Sequence, residues 1–190
     1  MHAVAMEQQK NPQTVTVDQV SLRAVTPDDA ETIHRLISGL AGHVDAVHKL
    51  KSVPDDFRRH LSSNPPSFYG LIAECEGDAV GLSLFFPSFS SWRGTRGVYI
   101  QDLYVAPEMR VGGLGKRLLV EVLRTAHDQW GAAYLRLSVD EDNIGAQKFY
   151  ERIGMRWTSD ERIFQIDEVD LVSLMQSDEA VREGIGDDNG

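Results

Sequence analysis

Residues 98–130 read VYIQDLYVAPEMRVGGLGKRLLVEVLRTAHDQW, and this stretch decides the fold. Its alternating first part predicts a strand over Val98–Val105, which Pro107 ends. Its last part predicts an amphipathic helix over Leu114–Trp130, because apolar residues recur every three or four positions. A further strand follows at 134–139, so the whole segment predicts a strand–helix–strand crossover. We expect the buried stripe of the helix to comprise Leu114, Leu118, Leu119, Val122, Leu123 and Ala126.

The segments on either side predict antiparallel hairpins first and a helix with short strands last. The predicted strands are 20–25, 69–76, 79–87, 155–157 and 162–166, and the predicted helices are 27–40, 54–61 and 144–153. Gly77-Asp78 is the predicted turn of the first hairpin, and residues 88–97 are read as a polar connection. Together these elements indicate an α+β (mixed α/β) fold. Its mixed, mostly antiparallel central sheet would have about six to seven strands and about four flanking helices.

A chain of 190 residues is of ordinary size for a single domain. We expect a flexible arm over residues 1–18, the folded domain over 19–168 and an acidic, disordered tail over 169–190. The single cysteine, Cys75, lies in an apolar stretch and is expected to be buried. The N-terminus lacks the pattern of a secretory signal and no apolar run is long enough to span a bilayer, so we predict a cytoplasmic protein.

The formal net charge of −10 argues against a nucleic-acid partner, whose phosphates require Lys and Arg. It favours either a cationic small substrate or simple solubility. None of the six histidines forms a pair with metal-ligand spacing, so no metal is expected. His43 and His48 are read as solvated loop residues, with the lining of an acceptor pocket as the alternative.

The loop Arg110-Val111-Gly112-Gly113-Leu114-Gly115 is the strongest chemical signal. Its glycines let backbone N–H groups converge, and the unpaired N–H groups of the following helix also favour an anion. Lys116 and Arg117 in the first helical turn oppose the helix dipole, which makes sense if a phosphate shares the site. The loop lacks the Gly-Lys-Ser/Thr ending of NTPases and the spacing of dinucleotide-binding loops.

The run from Tyr99 to Arg110 with its glycine loop resembles the central motif of the GNAT acetyltransferase superfamily, Arg/Gln-x-x-Gly-x-Gly/Ala, with matches at Arg110, Gly113 and Gly115. The run Asn143–Met155 resembles the second motif of that family. Residues 81–102 are similar to the spermidine/spermine (diamine) N-acetyltransferase branch, which includes enzymes for thialysine-like amino acids. Gln101 departs from that branch, which has a glutamate there.

The resemblance implies acetyl-CoA as co-substrate and a set of contacts to it. These cofactor contacts are expected from Leu103, Tyr104, Val105, Arg110, Val111, Gly112, Gly113, Leu114, Gly115, Lys116 and Asn143. A backbone N–H near Leu103 to Val105 would polarise the thioester carbonyl, and the same strand edge would pair with pantetheine. Gln101 and Trp92 are candidate acceptor-binding residues. A homodimer is also expected from the resemblance alone.

Two residues carry the predicted catalysis. Tyr150 matches the proton donor of the family to the leaving thiolate, with an amphipathic packing role as the alternative. Asp102 is the first candidate for the base or the anchor of a water relay, and a structural carboxylate is the alternative; Glu74 and Glu108 are weaker candidates. The predicted reaction is acetylation of a small amine, such as a diamine, polyamine or amino-acid analogue. A protein amine, an aminoglycoside acceptor and a non-catalytic acyl-CoA sensor are the alternatives.

Overall fold

A five-stranded sheet lies at the centre of the protein, whose computed structural model describes residues 19–110, 112–158, 164–167 and 170–176. The strands are β1 (Val20–Ala24), β2 (Tyr69–Cys75), β3 (Asp78–Ser90), β4 (Thr95–Val105) and β5 (Leu135–Leu137). They lie in the order β1-β2-β3-β4-β5. The first three pairings are antiparallel and β4 pairs with β5 in parallel, which confirms the mixed sheet.

Four α-helices lie between residues 19 and 158 of the described chain: α1 (Ala30–His43), α2 (Pro54–Leu61), α3 (Leu114–Trp130) and α4 (Ile144–Arg152). The starts of α2 and α3 are those that the sequence predicts. Short 3-10 turns at Pro27–Asp29, Val47–Lys49 and Pro107–Met109 complete the pattern. The first of these turns leads into α1. Pro27 lies at the start of the turn, where a backbone N–H would have no acceptor within the helix, so its absence in proline costs little.

One face of the sheet is covered by α1 and α2. Ile33 and Leu36 of α1 are buried against Ile72, Leu82 and Leu84 of the sheet. Tyr104 of β4 packs against the same cluster. It approaches α1 so closely that a Cβ at Gly39 would lie 2.7 Å from its hydroxyl oxygen. Gly39 therefore sets the distance between α1 and β4.

The other face of the sheet is covered by α3. Leu114, Leu118, Leu119, Val122 and Ala126 are buried as predicted, whereas Leu123 is 39% exposed and does not belong to the stripe. A Cβ at Gly81 of β3 would lie 3.2 Å from Leu118, so small residues let the helix approach the sheet. The Phe85 ring stacks on that of Tyr69 and makes a tilted contact with that of Trp130. Cys75 is buried, as predicted.

The β3–β4 hairpin is longer than the sequence suggests. Residues 88–90 and 95–97, read as a polar connection, extend both strands and pair with each other. The half-buried positions carry the polar residues Ser88, Ser90 and Thr95, while the apolar Phe89 is exposed, so the alternation that marks a strand is hidden. The turn between β2 and β3 is centred on Glu76 and Gly77, both with positive φ, one residue earlier than predicted.

The strand count is lower than predicted. Residues 155–158 and 164–167 form no strand, and the remainder of the second predicted strand lies outside the described residues. Trp157 and Phe164 are 86% and 92% exposed, so neither has the packed face that stabilises a strand. Residues 19–158 and the other described segments therefore form five strands in place of the expected six to seven.

Two compact units divide the chain, Met1–Phe149 and Tyr150–Gly190. In the second unit, the end of α4 is closed by Gly154, with positive φ, and by Met155 N donating to Tyr150 O at 3.0 Å. Residues 170–176 are helical there. Residues 1–18, predicted as an arm, and residues 177–190 of the predicted tail lie outside the described part.

The packing of Gly97 generates a stability prediction. A Cβ at this position would lie 2.3 Å from the Tyr134 ring. We expect Gly97→Ala to destabilise the protein by about 1–3 kcal/mol, as overpacking does. The loss should shrink in the Gly97→Ala/Tyr134→Ala double mutant relative to Tyr134→Ala. Gly42→Ala in α1 is the control, because nothing lies within 4 Å of its added methyl group. Equal unfolding free energies for Gly97→Ala and the parent, measured in urea, would contradict the close contact.

Candidate active site

A bulge in β4 opens one edge of the sheet. Ile100 pairs with Phe85 and Asp102 with Leu84, so Gln101 has no partner on β3. On the other side, β5 pairs with β4 only from Val98 to Ile100. An extra residue increases the local twist of a strand. Beyond the bulge, no strand of the described chain covers the side of β4 that faces away from β3, and we call residues 101–105 on this side the free edge.

The backbone groups of the free edge alternate in direction. Ala106 N donates to Val80 O of β3 at 2.9 Å, so Ala106 faces β3. Because alternate residues of a strand direct their N–H and C=O groups to opposite edges, Tyr104 also faces β3. Leu103 and Val105 therefore present their N–H and C=O groups at the free edge. A ligand with amide groups can pair there as an added strand does.

Arg110 lies against this edge. Its Nε donates to Val105 O at 3.0 Å, and its Nη1 lies 3.3 Å from both ring nitrogens of His43. His43 is the last residue of α1 and is exposed. His43 is therefore exposed as predicted, but it ends a helix and does not lie in a loop. No sequence pattern predicts the contact between His43 and Arg110, since the two residues are 67 positions apart.

The glycine-rich loop meets the free edge at its last residue. Gly113 caps α3 with φ +83°, a left-handed conformation that favours glycine. A Cβ at Gly115 would lie 3.3 Å from the Phe149 ring and 3.8 Å from Val105. The first N–H groups of α3 have no partner within the helix and so favour an anion next to the edge. Gly112 and Leu114 belong to this turn, whereas Val111 lies outside the described residues.

Asp102 is the ionisable side chain at the bulge. It lies on the same face of β4 as Tyr104, since the two are two residues apart. No hydrogen bond or ion pair joins its carboxylate to another described residue. Burial raises the pKa of Asp102 from 3.8 to about 6. A carboxylate with this pKa is a stronger base than an ordinary aspartate and is still ionised at neutral pH.

Asn143 and Tyr150 lie at either end of the second predicted motif. The Oδ1 of Asn143 accepts from Ala146 N at 3.1 Å, so the side chain caps α4. This cap uses only the amide oxygen and leaves the amide nitrogen as the group that can donate to a ligand. Burial raises the pKa of Tyr150 to about 12, which keeps its phenol protonated at neutral pH.

Three other candidates also lie in the first unit. Trp92 is 99% exposed at the tip of the β3–β4 hairpin, which lies roughly 20 Å along β4 from the bulge. Lys116 lines a cavity of about 510 Å³ together with Gly113 of the loop and Leu22 of β1. Glu74 accepts two hydrogen bonds from Arg23, at 2.7 and 2.9 Å, and this ion pair makes it a structural carboxylate.

The described residues contain no cluster of three or more His, Cys, Asp or Glu side chains that could hold a metal ion. Among the same residues, no helix is both long enough and apolar enough to cross a bilayer.

Comparison with known proteins gives the class of this site. The sequence profile of the Acetyltransferase (GNAT) family matches residues 37–155. A thialysine N-epsilon-acetyltransferase of Bos taurus is 32% identical over 143 residues, or 71% of this chain and 83% of that protein. A D-amino-acid N-acetyltransferase of Saccharomyces cerevisiae is 26% identical over 148 residues, or 77% of this chain and 91% of that protein.

Among solved structures, an aminoglycoside N-acetyltransferase, AAC(6')-Iy, in complex with CoA has a TM-score of 0.62 at 21% identity. The match covers 78% of this chain and 95% of that one, and it shows the shared fold. The chain belongs to the acetyltransferase (GNAT) family. It is an N-acetyltransferase, and the expected likeness to the branch that includes thialysine enzymes is confirmed.

The environment of Asp102 generates a pH prediction. Because the folded pKa lies above the unfolded value, protonated Asp102 adds stability that is complete below about pH 4 and is lost as pH rises through about 6. Asp102→Asn mimics the protonated form at every pH. We therefore expect this variant to be more stable than the parent by about 1–3 kcal/mol at pH 8 and equal to it at pH 4.

Urea unfolding at pH 4, 6 and 8 measures this difference. Glu108→Gln, at an exposed position after β4, is the matched control. A stability difference between Asp102→Asn and the parent that stays constant across this range would show that Asp102 is not desolvated.

Proposed function

We propose that the protein transfers an acetyl group from acetyl-CoA to the primary amine of a small cationic molecule, directly, in a ternary complex. The observation that carries this proposal is the free edge of β4 beside the glycine-rich start of α3. An amide-containing arm can pair with the backbone groups of Leu103 and Val105, while the phosphates of the same molecule meet the unpaired N–H groups of α3. Coenzyme A combines these two features. The CoA-bound aminoglycoside enzyme of the same fold adds support.

In this proposal the free edge also polarises the thioester. As the amine attacks, the carbonyl oxygen gains negative charge, and a fixed backbone N–H at Leu103 or Val105 can stabilise that charge. These groups cost no reorganisation, because the strand already holds them. The pantetheine arm and the oxygen would thus be bound by neighbouring groups of one strand.

Asp102 serves as the base in the same proposal. A lysine-like amine has a pKa of about 10.4, so holding it neutral at pH 7 costs about 4–5 kcal/mol. A carboxylate with a pKa raised to about 6 can accept the proton, directly or through water. Gln101 and Asp102, at the bulge, are the proposed contacts of the acceptor. Trp92 can contribute only through another chain or another conformation, because it lies at the hairpin tip.

Tyr150 is the proposed acid that returns a proton to the leaving thiolate. It lies seven residues after Asn143, as the second motif requires. Its phenol is protonated at neutral pH and can donate a hydrogen bond to the sulfur as negative charge develops there. Complete transfer from a phenol with a pKa of about 12 to a thiolate of Cys-like basicity, with a pKa of about 8.5, is uphill, so the proton would move as the sulfur leaves and the phenolate would be reprotonated from solvent. The reaction balances when the nitrogen–acyl carbon bond forms, the carbon–sulfur bond of the thioester breaks, the amine proton passes to Asp102 and the sulfur is protonated to give the CoA thiol.

The acceptor class rests on charge and on the relatives. The net charge of −10 favours a cationic acceptor. The two relatives quoted above are named for thialysine and for D-amino acids, so an amino-acid analogue joins the diamines and polyamines as a candidate. The expected homodimer is part of the proposal; Phe89 and Trp92, which are 67% and 99% exposed, offer it an apolar surface.

A thiol-release assay with acetyl-CoA tests the function. The acceptors are spermidine, diamines, thialysine, lysine, aminoglycosides and N-terminal peptides, and we expect turnover of a small amine. In Tyr150→Phe, kcat should fall by about 100-fold or more with unchanged affinity for CoA, since only the proton donor is lost. Tyr134→Phe is the matched control.

Each other outcome points to a different function. Turnover of peptides alone would indicate a protein acceptor. Tight CoA binding with no turnover of any acceptor would indicate a sensor. Equal kcat for Tyr150→Phe and the parent would remove Tyr150 from the mechanism.

A further inference from the structure

The side chain of Arg110 is held from two sides. On one side its Nε donates to the Val105 carbonyl at the free edge. On the other, Nη1 is equidistant, at 3.3 Å, from Nδ1 and Nε2 of His43. Both ring nitrogens are therefore within hydrogen-bonding distance of Nη1. Because the guanidinium can only donate, the imidazole accepts through whichever ring nitrogen carries no proton.

His43 occupies a fixed position, unlike Arg110. It ends α1, whose Ile33 and Leu36 are buried in the core. One turn earlier, Gly39 lies in close contact with Tyr104 of β4, so the end of α1 is held against the strand that carries the free edge. Arg110 is an exposed, long side chain at the start of the loop. Ordering such a side chain costs conformational entropy, which a ring held by a packed helix can reduce.

We infer that His43 is a positioning residue that holds the Arg110 guanidinium at the free edge and so raises the affinity for the phosphates of the cofactor. This inference rests on the proposed function, in which Arg110 belongs to the cofactor loop. A guanidinium that is already ordered loses less entropy when it binds an anion. His43 acts through Arg110 and touches no reacting atom. Its loss should raise the Kd and KM for the cofactor and have little effect on kcat.

The test is calorimetric titration of the full chain with CoA at pH 8, with steady-state kinetics at the same pH. His43→Ala should bind CoA about threefold to tenfold more weakly, the effect expected for the loss of one hydrogen bond of ordinary strength. His43→Gln keeps a side-chain group that can accept from Arg110 and should bind CoA more tightly than His43→Ala. In both variants KM for the cofactor should follow Kd, while kcat stays close to that of the parent.

The double mutant His43→Ala/Arg110→Gln tests whether His43 affects CoA binding through Arg110 or independently of it. If His43 acts through Arg110, His43→Ala should have no further effect on CoA binding in the Arg110→Gln background. An equal loss in both backgrounds, or parent-like binding by His43→Ala, would overturn the inference. His60→Ala, at an exposed position on α2, is the control. Failure of the parent to bind CoA would overturn the proposed function instead.

Discussion

The site depends on one constraint: no strand formed by the described residues pairs with the outer side of β4 beyond the bulge. In an ordinary sheet the backbone groups of Leu103 and Val105 would be used by a neighbouring strand. Here β5 pairs only as far as Ile100, and the unpaired Gln101 marks the point at which β4 separates from it. Backbone hydrogen-bonding groups must find partners, so this edge is suited to a ligand that supplies them. The acyl transfer that we propose depends on these backbone groups of the free edge.

The surrounding packing keeps the edge rigid. Tyr104 packs into the core beneath α1, while Gly115 brings α3 next to Val105 on the opposite face. Farther away, Arg23 joins Asp29 and Glu74 at 2.7 Å each and fastens the start of α1 to two strands. The Arg23 guanidinium lowers the pKa of Asp29. Because α1 and α3 are packed on the two faces of β4, the backbone N–H donors of the free edge are already in position. A ligand therefore spends little free energy on ordering them.

Much of this arrangement follows from local sequence patterns. The helix over Leu114–Trp130 and the loop before it have strong periodicity and glycine signals, and the structure confirms their positions. The bulge had no such signal, because Gln101 becomes an extra residue only through its register with β3. The His43–Arg110 contact was also hidden, since it depends on where α1 ends relative to β4. The prediction of terminal strands was wrong for the described residues 155–157 and 164–166. Alternating apolar residues such as Met155 and Trp157 form a strand only where a neighbouring strand and a core exist.

Amide hydrogen exchange of β4, with and without saturating acetyl-CoA, tests the central claim most directly. The Tyr104 amide faces β3 and should exchange slowly in both states. The amides of Leu103 and Val105 should exchange fast in the free protein and become protected when acetyl-CoA binds along the free edge. Binding of acetyl-CoA without any new protection at Leu103 and Val105 would contradict the account, since the cofactor would then lie elsewhere.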